Sequence, residues 1–321
     1  MDLLTNIFND IKIHDDNELK EILYNKEVIN CKSIDSFTVA EKKLNDKNNK
    51  TRENIIGAII NDNIPNEYYI INRWLMLRTR LFKILDELVA YKTYNKIICI
   101  HKGGRNNKYD FSIEFIFDDN TKDIFNVEFK FNISEIKQAP QFVSPMKPSQ
   151  YMTNSYEEYY YDNYLSKLSE LSGFILPKKE DYLKEIHNIN PKCMMSYQEL
   201  YYQGCKTSSK FNNNEKAISF YKYSIKISKE SISNFINKTD IKIELLSDYL
   251  YTTQKNKIYL FYHNGQFILQ KKDIDDYKIN IMNKNPNKSC YECISKNGYK
   301  IKILLRWKNG NGIAFPAFQI S

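Results

Sequence analysis

Near residue 95 the hydrophobic period of this chain changes, and that switch constrains its fold more than any other feature. Before it, Trp74, Leu77, Leu81, Leu85 and Leu88 recur every three or four positions, which predicts a long helix over 67–92. After it, apolar and polar side chains alternate. Segments 96–101, 110–117 and 124–132 read as strands, with a loop at 103–107 and a turn at 118–121. The expected fold class is α/β.

The hairpin 110–132 carries the chemistry. Centring its turn on Asp119 sets Asp110 opposite Glu128, Phe111 opposite Val127 and Ile113 opposite Phe125. Phe111, Ile113, Phe115, Phe117, Phe125, Val127 and Phe129 then make one apolar face. Asp110, Glu128 and Lys130 project from the other. Two carboxylates meeting across a strand pair repel each other unless a cation lies between them. Oxygen ligands of this kind select magnesium or manganese. Lys130 is close enough to orient a water or steady a phosphate. The competing reading is a surface hairpin with ordinary charges.

A helix, a strand, an Asp opening the next strand and Glu128-Phe129-Lys130 in the one after resemble the PD-(D/E)XK nuclease superfamily, over roughly residues 67–145. The resemblance implies a restriction-endonuclease-like core, a helix followed by a mixed β-sheet, that cleaves phosphodiester bonds. It implies that Asp110 and Glu128 ligate Mg²⁺ or Mn²⁺, that Lys130 is the catalytic lysine and that the Phe129 carbonyl is a further ligand. Gln138, with Phe142 four residues later, is similar to a catalytic Gln that some members carry on the following helix; Gln141 is the alternative. Many members add a Glu from the first helix. Glu67 is the candidate, with Glu87 as alternative. Tyr109 stands where the family motif has Pro.

The rest of the chain supplies surroundings. Residues 17–30 read as an amphipathic helix, Thr38–Glu41 as a capping box opening a second helix, and 51–62 as a third. Helices are expected over 134–205, a linker at 203–216, and strands at 257–263, 266–271, 277–282, 290–295, 299–307 and 313–320. The expected division is a helical N-terminal region (1–64), the nuclease-like core with its following helices (65–205) and a strand-rich, basic C-terminal region (206–321).

Charge is unevenly placed. Residues 251–321 hold twelve Lys and Arg against four Asp and Glu, an excess of +8 equal to that of the whole chain. In 299–308, Lys300, Lys302, Arg306 and Lys308 alternate with Tyr299, Ile301, Ile303, Leu305 and Trp307, a basic stripe able to track phosphates. A solvated strand edge in a lysine-rich chain is the equal alternative. Arg105 and Lys108, before Asp110, are further candidates for nucleic-acid contact.

Other chemistries find little support. The four histidines show no HExxH spacing, and no GxSxG, Walker loop or helix-opening GxGxxG occurs. His101 falls near the proposed site. Cys290 and Cys293 form a lone CxxC that could recruit Cys193, Cys205 or His187 for zinc, but ordinary thiols are favoured. Tyr156, Tyr159, Tyr160, Tyr161 and Tyr164 could stack bases, although Lys, Asn, Ile and Tyr are enriched as an AT-rich coding genome would make them. No window approaches the ~18 apolar residues of a membrane span, and no basic-then-apolar signal opens the chain. An intracellular protein of cytoplasm or nucleus is expected, with no membrane partner. The expected function is Mg²⁺-dependent endonucleolytic cleavage of DNA. The alternatives are an RNA-directed nuclease of the same fold, or a nucleic-acid-binding protein on an inactive nuclease scaffold. Monomer and homodimer both stay open.

Overall fold

In the computed structural model, which describes residues 19–38, 45–103, 108–138, 141–142, 147–271 and 273–321, the chain turns back at Asn25-Lys26. Both residues take positive φ, 46° and 66°, as a two-residue hairpin turn requires. They join β1 (Ile22–Tyr24) to β2 (Glu27–Ile29). The expected helix over 17–30 is therefore a hairpin in its described part, because a local turn with an Asn in the left-handed region outcompetes a weak helical period. The capping box at Thr38–Glu41 lies mostly outside the described residues.

Then come α1 (Asn45–Ile60), a 3₁₀ turn (Asn66–Ile70) and α2 (Asn72–Leu88). Trp74, Leu77, Leu81 and Leu85 of α2 are buried, as their spacing predicts. The strands β3 (Lys96–His101), β4 (Phe111–Ile116) and β5 (Lys122–Phe131) follow. Phe111 pairs with Val127 and Ile113 with Phe125, the register expected from a turn at Asp119. The chain next runs through β6 (Gln141–Phe142) and helices α3 (Tyr156–Tyr160), α4 (Ser166–Ser172), α5 (Lys179–Glu185), α6 (Met195–Gly204), α7 (Glu215–Lys238) and α8 (Ile243–Gln254). It returns as β7 (Lys257–His263) and β8 (Gln266–Lys271), and ends in β9 (Ile279–Asn285), β10 (Cys290–Ser295), β11 (Lys300–Asn309) and β12 (Ala314–Ile320).

Two compact units result, and they do not follow linear order. The first takes 1–103, 109–135 and 257–271; the second takes 104–108, 136–256 and 272–321. The first unit is a five-stranded mixed sheet of order β3-β4-β5-β7-β8, in which β7 runs parallel to β5 and the other pairs are antiparallel. Its core joins Ile55, Ile56 and Ile59 of α1 and the apolar stripe of α2 to Phe111, Ile113, Phe115, Val127 and Phe129 of the sheet. Phe117 and Phe125 pack partly buried against it. A mixed α/β class is thus established for the chain.

The second unit combines helices α3–α8 with an antiparallel sheet of order β6-β12-β11-β10-β9. The stretch 203–216, expected as a linker, instead holds the loop that connects a helix pair, α6 and α7. A Cβ on Gly204 would lie 2.0 Å from the Ala217 carbonyl oxygen, so α6 and α7 meet too closely for any larger residue there. Of the tyrosine run, Tyr159 and Tyr161 are half-buried, whereas Tyr156 and Tyr160 are fully buried, Tyr164 nearly so, and the Tyr156 hydroxyl accepts from the Trp307 indole at 3.0 Å. Tyr156, Tyr160 and Tyr164 cannot stack bases. Cys290 and Cys293 are buried on β10, three positions apart and hence on opposite faces, which rules out chelation by that pair. Among the described residues, no helix is long and apolar enough to cross a membrane.

Candidate active site

Asp110 is held by its backbone before its side chain acts. Its N–H donates to the Val127 carbonyl at 2.9 Å, and its carbonyl accepts from Lys102 N at 2.8 Å. The residue is thereby clamped in the bend that leads into β4, between the end of β3 and β5. Its Oδ2 accepts from the Phe129 N–H at 2.9 Å. Phe129 thus touches Asp110 through its amide.

Glu128 and Lys130 leave the same face of β5, and Lys130 pairs with Glu128 Oε1. The other carboxylate oxygen, Oε2, lies 3.2 Å from Nζ of Lys257. Lys257 opens β7 and reaches the site because β7 pairs in parallel with β5, Asn126 opposite Lys257 and Glu128 opposite Tyr259. Tyr259 and Phe261, both buried, stand on the neighbouring strand beside Glu128 and Lys130. Their rings lower the local dielectric and strengthen every charge interaction there.

A third carboxylate comes from α1. Glu53 sits between buried Arg52 and Asn54, and its charge is felt by Asp110, Glu128, Lys130 and Lys50. Burial, then the neighbouring Asp110 carboxylate, push its pKa up to about 8. Burial and Glu128 push Asp110 up to about 6, against the pull of Lys130, the Phe129 N–H and Lys257. Glu128 behaves oppositely. Burial alone would raise it, but Lys130 and Lys257 together hold it below its ordinary range. Lys130 stays protonated because Glu128 and Asp110 outweigh its burial. Lys130 and Lys257 are both seated on Glu128, and Glu53 and Asp110 carry the strain.

That imbalance has a measurable consequence. A carboxyl with a raised folded-state pKa binds its proton more tightly folded than unfolded. The stability so gained is complete below the ordinary carboxylate pKa and is lost as pH rises through the folded value. Here the loss should run through about 6 for Asp110 and about 8 for Glu53. The melting temperature of EDTA-treated protein should therefore fall from pH 5 to pH 9, with Mg²⁺ restoring most at the high end. A flat profile would mean these carboxyls are not in excess.

The donor set fits a hard divalent cation: carboxylate oxygens, buried, negative in sum. Among the described residues, no three His, Cys, Asp or Glu side chains are already drawn together as a ligand cage. Both oxygens of Glu128 are engaged by lysines.

Other expected residues stand elsewhere. Glu67 is exposed on the 3₁₀ turn before α2 and does not join the acids; the acid that does lies one helix earlier, at Glu53. Glu87 is also exposed. Gln138 is exposed at the end of a single 3₁₀ turn, Ile136–Gln138, not on a helix, and belongs to the second unit. Arg105 and the side chains of Gln141 and Phe142 lie outside the described residues. Lys108 belongs to the second unit, with Nζ 5.5 Å from the Tyr249 ring centroid. His101 is packed between Tyr24 and Phe111 rather than solvated, and burial lowers its pKa.

The basic stripe keeps its alternation on β11: Lys300, Lys302 and Lys308 are exposed and Arg306 half-buried, between buried Ile301, Ile303, Leu305 and Trp307. It is not a row of bare charge. Lys302 faces Glu292 across the strands, Arg306 donates to Gln319 Oε1 at 2.8 Å, and Lys308 Nζ lies 5.4 Å from the Phe315 ring centroid.

Sequence reasoning missed Glu53 and Lys257. Glu53 was signalled by Arg52-Glu53-Asn54, three polar residues heading the apolar turns of α1. Lys257 had no local signal. No protein-family model matches the chain, and no curated protein matches it.

Proposed function

We propose that the first unit is a divalent-metal-dependent nuclease centre that hydrolyses phosphodiester bonds of DNA, acting endonucleolytically. This reading is carried by Asp110, Glu128 and Glu53 lying near enough to shift one another's protonation, with Lys130 seated on Glu128. Carboxylates are assembled there at an energetic cost that no structural need on the page explains. Glu53, Asp110 and Glu128 would hold Mg²⁺ or Mn²⁺, which when bound lowers the pKa of a coordinated water and screens the reacting phosphate.

The chain's own groups do the rest. The clamp on the Asp110 backbone and the Phe129 N–H on its Oδ2 fix one carboxylate in direction. The buried Tyr259–Phe261 wall keeps bulk water from one side. Lys130 offers an ammonium to a phosphate oxygen or to the attacking water, where charge accumulates in the transition state.

A second reading, binding without cleavage, draws support from the two lysines on Glu128. Such a pair neutralises a buried carboxylate without any cation. Incubating the protein with supercoiled plasmid, linear DNA and RNA, with Mg²⁺ or with EDTA, separates the readings. Nicked and linear plasmid appearing only with Mg²⁺ supports the endonuclease; degradation of RNA alone supports the RNA-directed form; retention of intact DNA in all lanes supports the binding protein.

A further inference from the structure

Lys257 is the least expected member of the site. It is separated by 129 residues from Glu128, yet its Nζ lies 3.2 Å from Glu128 Oε2. Its side chain is 4% exposed. A buried ammonium is costly unless paired and hydrogen-bonded, so the long return of the chain into β7 places a charge that hydrophobic packing would not choose.

The two lysines on Glu128 are not equivalent. Lys130, on Oε1, is 28% exposed, and Lys257, on Oε2, is walled in. Lys257 also shares its strand face with Tyr259, whose ring centroid is 5.6 Å from Nζ. A cation joining Glu53, Asp110 and Glu128 needs a lone pair of Glu128 and repels an ammonium on the same oxygen, so the less confined lysine gives way. Lys130 is the less confined of the two.

We infer that Lys257 is a positioning residue that keeps hold of Glu128 Oε2 while Oε1 passes from Lys130 to a divalent cation. This rests on the metal-dependent reading of the site. The exchange divides the labour between the lysines. Lys257 stays as the outer partner that orients a ligating carboxylate. Lys130, released from Oε1, becomes the ammonium available to the substrate phosphate. No proton or covalent bond need change hands.

The test is Mn²⁺ binding to the full chain without nucleic acid, by titration calorimetry, after EDTA treatment and dialysis. Lys257→Met keeps the length and packing of the stem and should weaken Mn²⁺ binding about 10–100-fold, as loss of an outer-shell partner does. Lys130→Met should keep the wild-type affinity within about threefold, or tighten it, because that lysine leaves the carboxylate in any case. A purely structural role for Lys257 would lower the melting temperature of its variant without this contrast. Should Lys257→Met fail to fold, Lys257→Gln serves in the same comparison, again with affinity below wild type. Equal affinity in wild type and the Lys257 variant, or a larger loss in Lys130→Met, overturns the inference alone. A wild type that binds no Mn²⁺ overturns the metal-dependent reading and the inference with it.

Discussion

Asp110→Ala and Lys130→Ala should each reduce DNA cleavage by at least two to three orders of magnitude, about the cost of removing one group that stabilises transition-state charge. Binding of DNA should persist, since neither side chain is needed to meet the phosphate backbone at a distance from the scissile bond. Stability should separate from activity. Asp110 is a carboxyl pushed up by burial and by Glu128, so its removal relieves repulsion, and the metal-free variant should melt no lower than wild type at pH 8. Glu128 is different. Its deletion takes from Lys130 and Lys257 the carboxylate that offsets their desolvation, at a cost of about 3–5 kcal/mol. Glu128→Gln, which keeps two polar atoms between the lysines, is therefore the cleaner variant, with the same loss of cleavage. Cleavage within a fewfold of wild type in all three would dismiss the site, whatever the protein's affinity for DNA.

Changing Lys300, Lys302, Arg306 and Lys308 together to Ser should weaken DNA binding and flatten its salt dependence. Each duplex phosphate neutralised contributes a slope of about −0.9 in log affinity against log salt, so four contacts correspond to about three to four units. These cations lie on β11 in the second unit, while the carboxylates lie in the first. Cleavage at saturating DNA should survive in the variant. Glu292 opposite Lys302 and Gln319 on Arg306 already occupy part of the stripe. An unchanged slope would make the four cations an ordinary solvated face of a central strand.

Local pattern was legible where the structure is local. The hairpin β4–β5 was readable to the residue because a period of two and a short turn leave one register that buries Phe111, Ile113, Phe115, Val127 and Phe129 together. The same logic located β3, β7, β8 and β10 along the chain. It could not tell which sheet each strand joins. Strands β7 and β8 look continuous with the basic C-terminal strands, yet they complete the first unit's sheet after a crossover through all of α3–α8. Nothing in residues 257–271 themselves records that partner.

The misplaced acid has a related cause. Glu67 precedes the helix with the strongest apolar stripe, but α2 turns that stripe to the core and leaves its polar flank, and Glu67 on the turn before it, in solvent. Helix α1 packs with its middle buried, Arg52 and Asn54 both essentially inaccessible, and so carries Glu53 inward. Arg52 donates to the Ser36 carbonyl at 2.6 Å and stacks 3.5 Å from the Phe131 ring centroid. Those long-range partners, absent from any local pattern, bury the middle of the helix.

Glu53, Asp110 and Glu128, drawn from a helix, a bend and a strand, are proposed to form one divalent-metal centre. The anomalous scattering of Mn²⁺ in crystals grown or soaked with that ion tests this most directly. A single peak within ligating distance of all three carboxylates, with Lys130 turned away from Glu128 Oε1, is the predicted result. A map with no peak there, and Glu128 still held by both lysines at millimolar Mn²⁺, would contradict it.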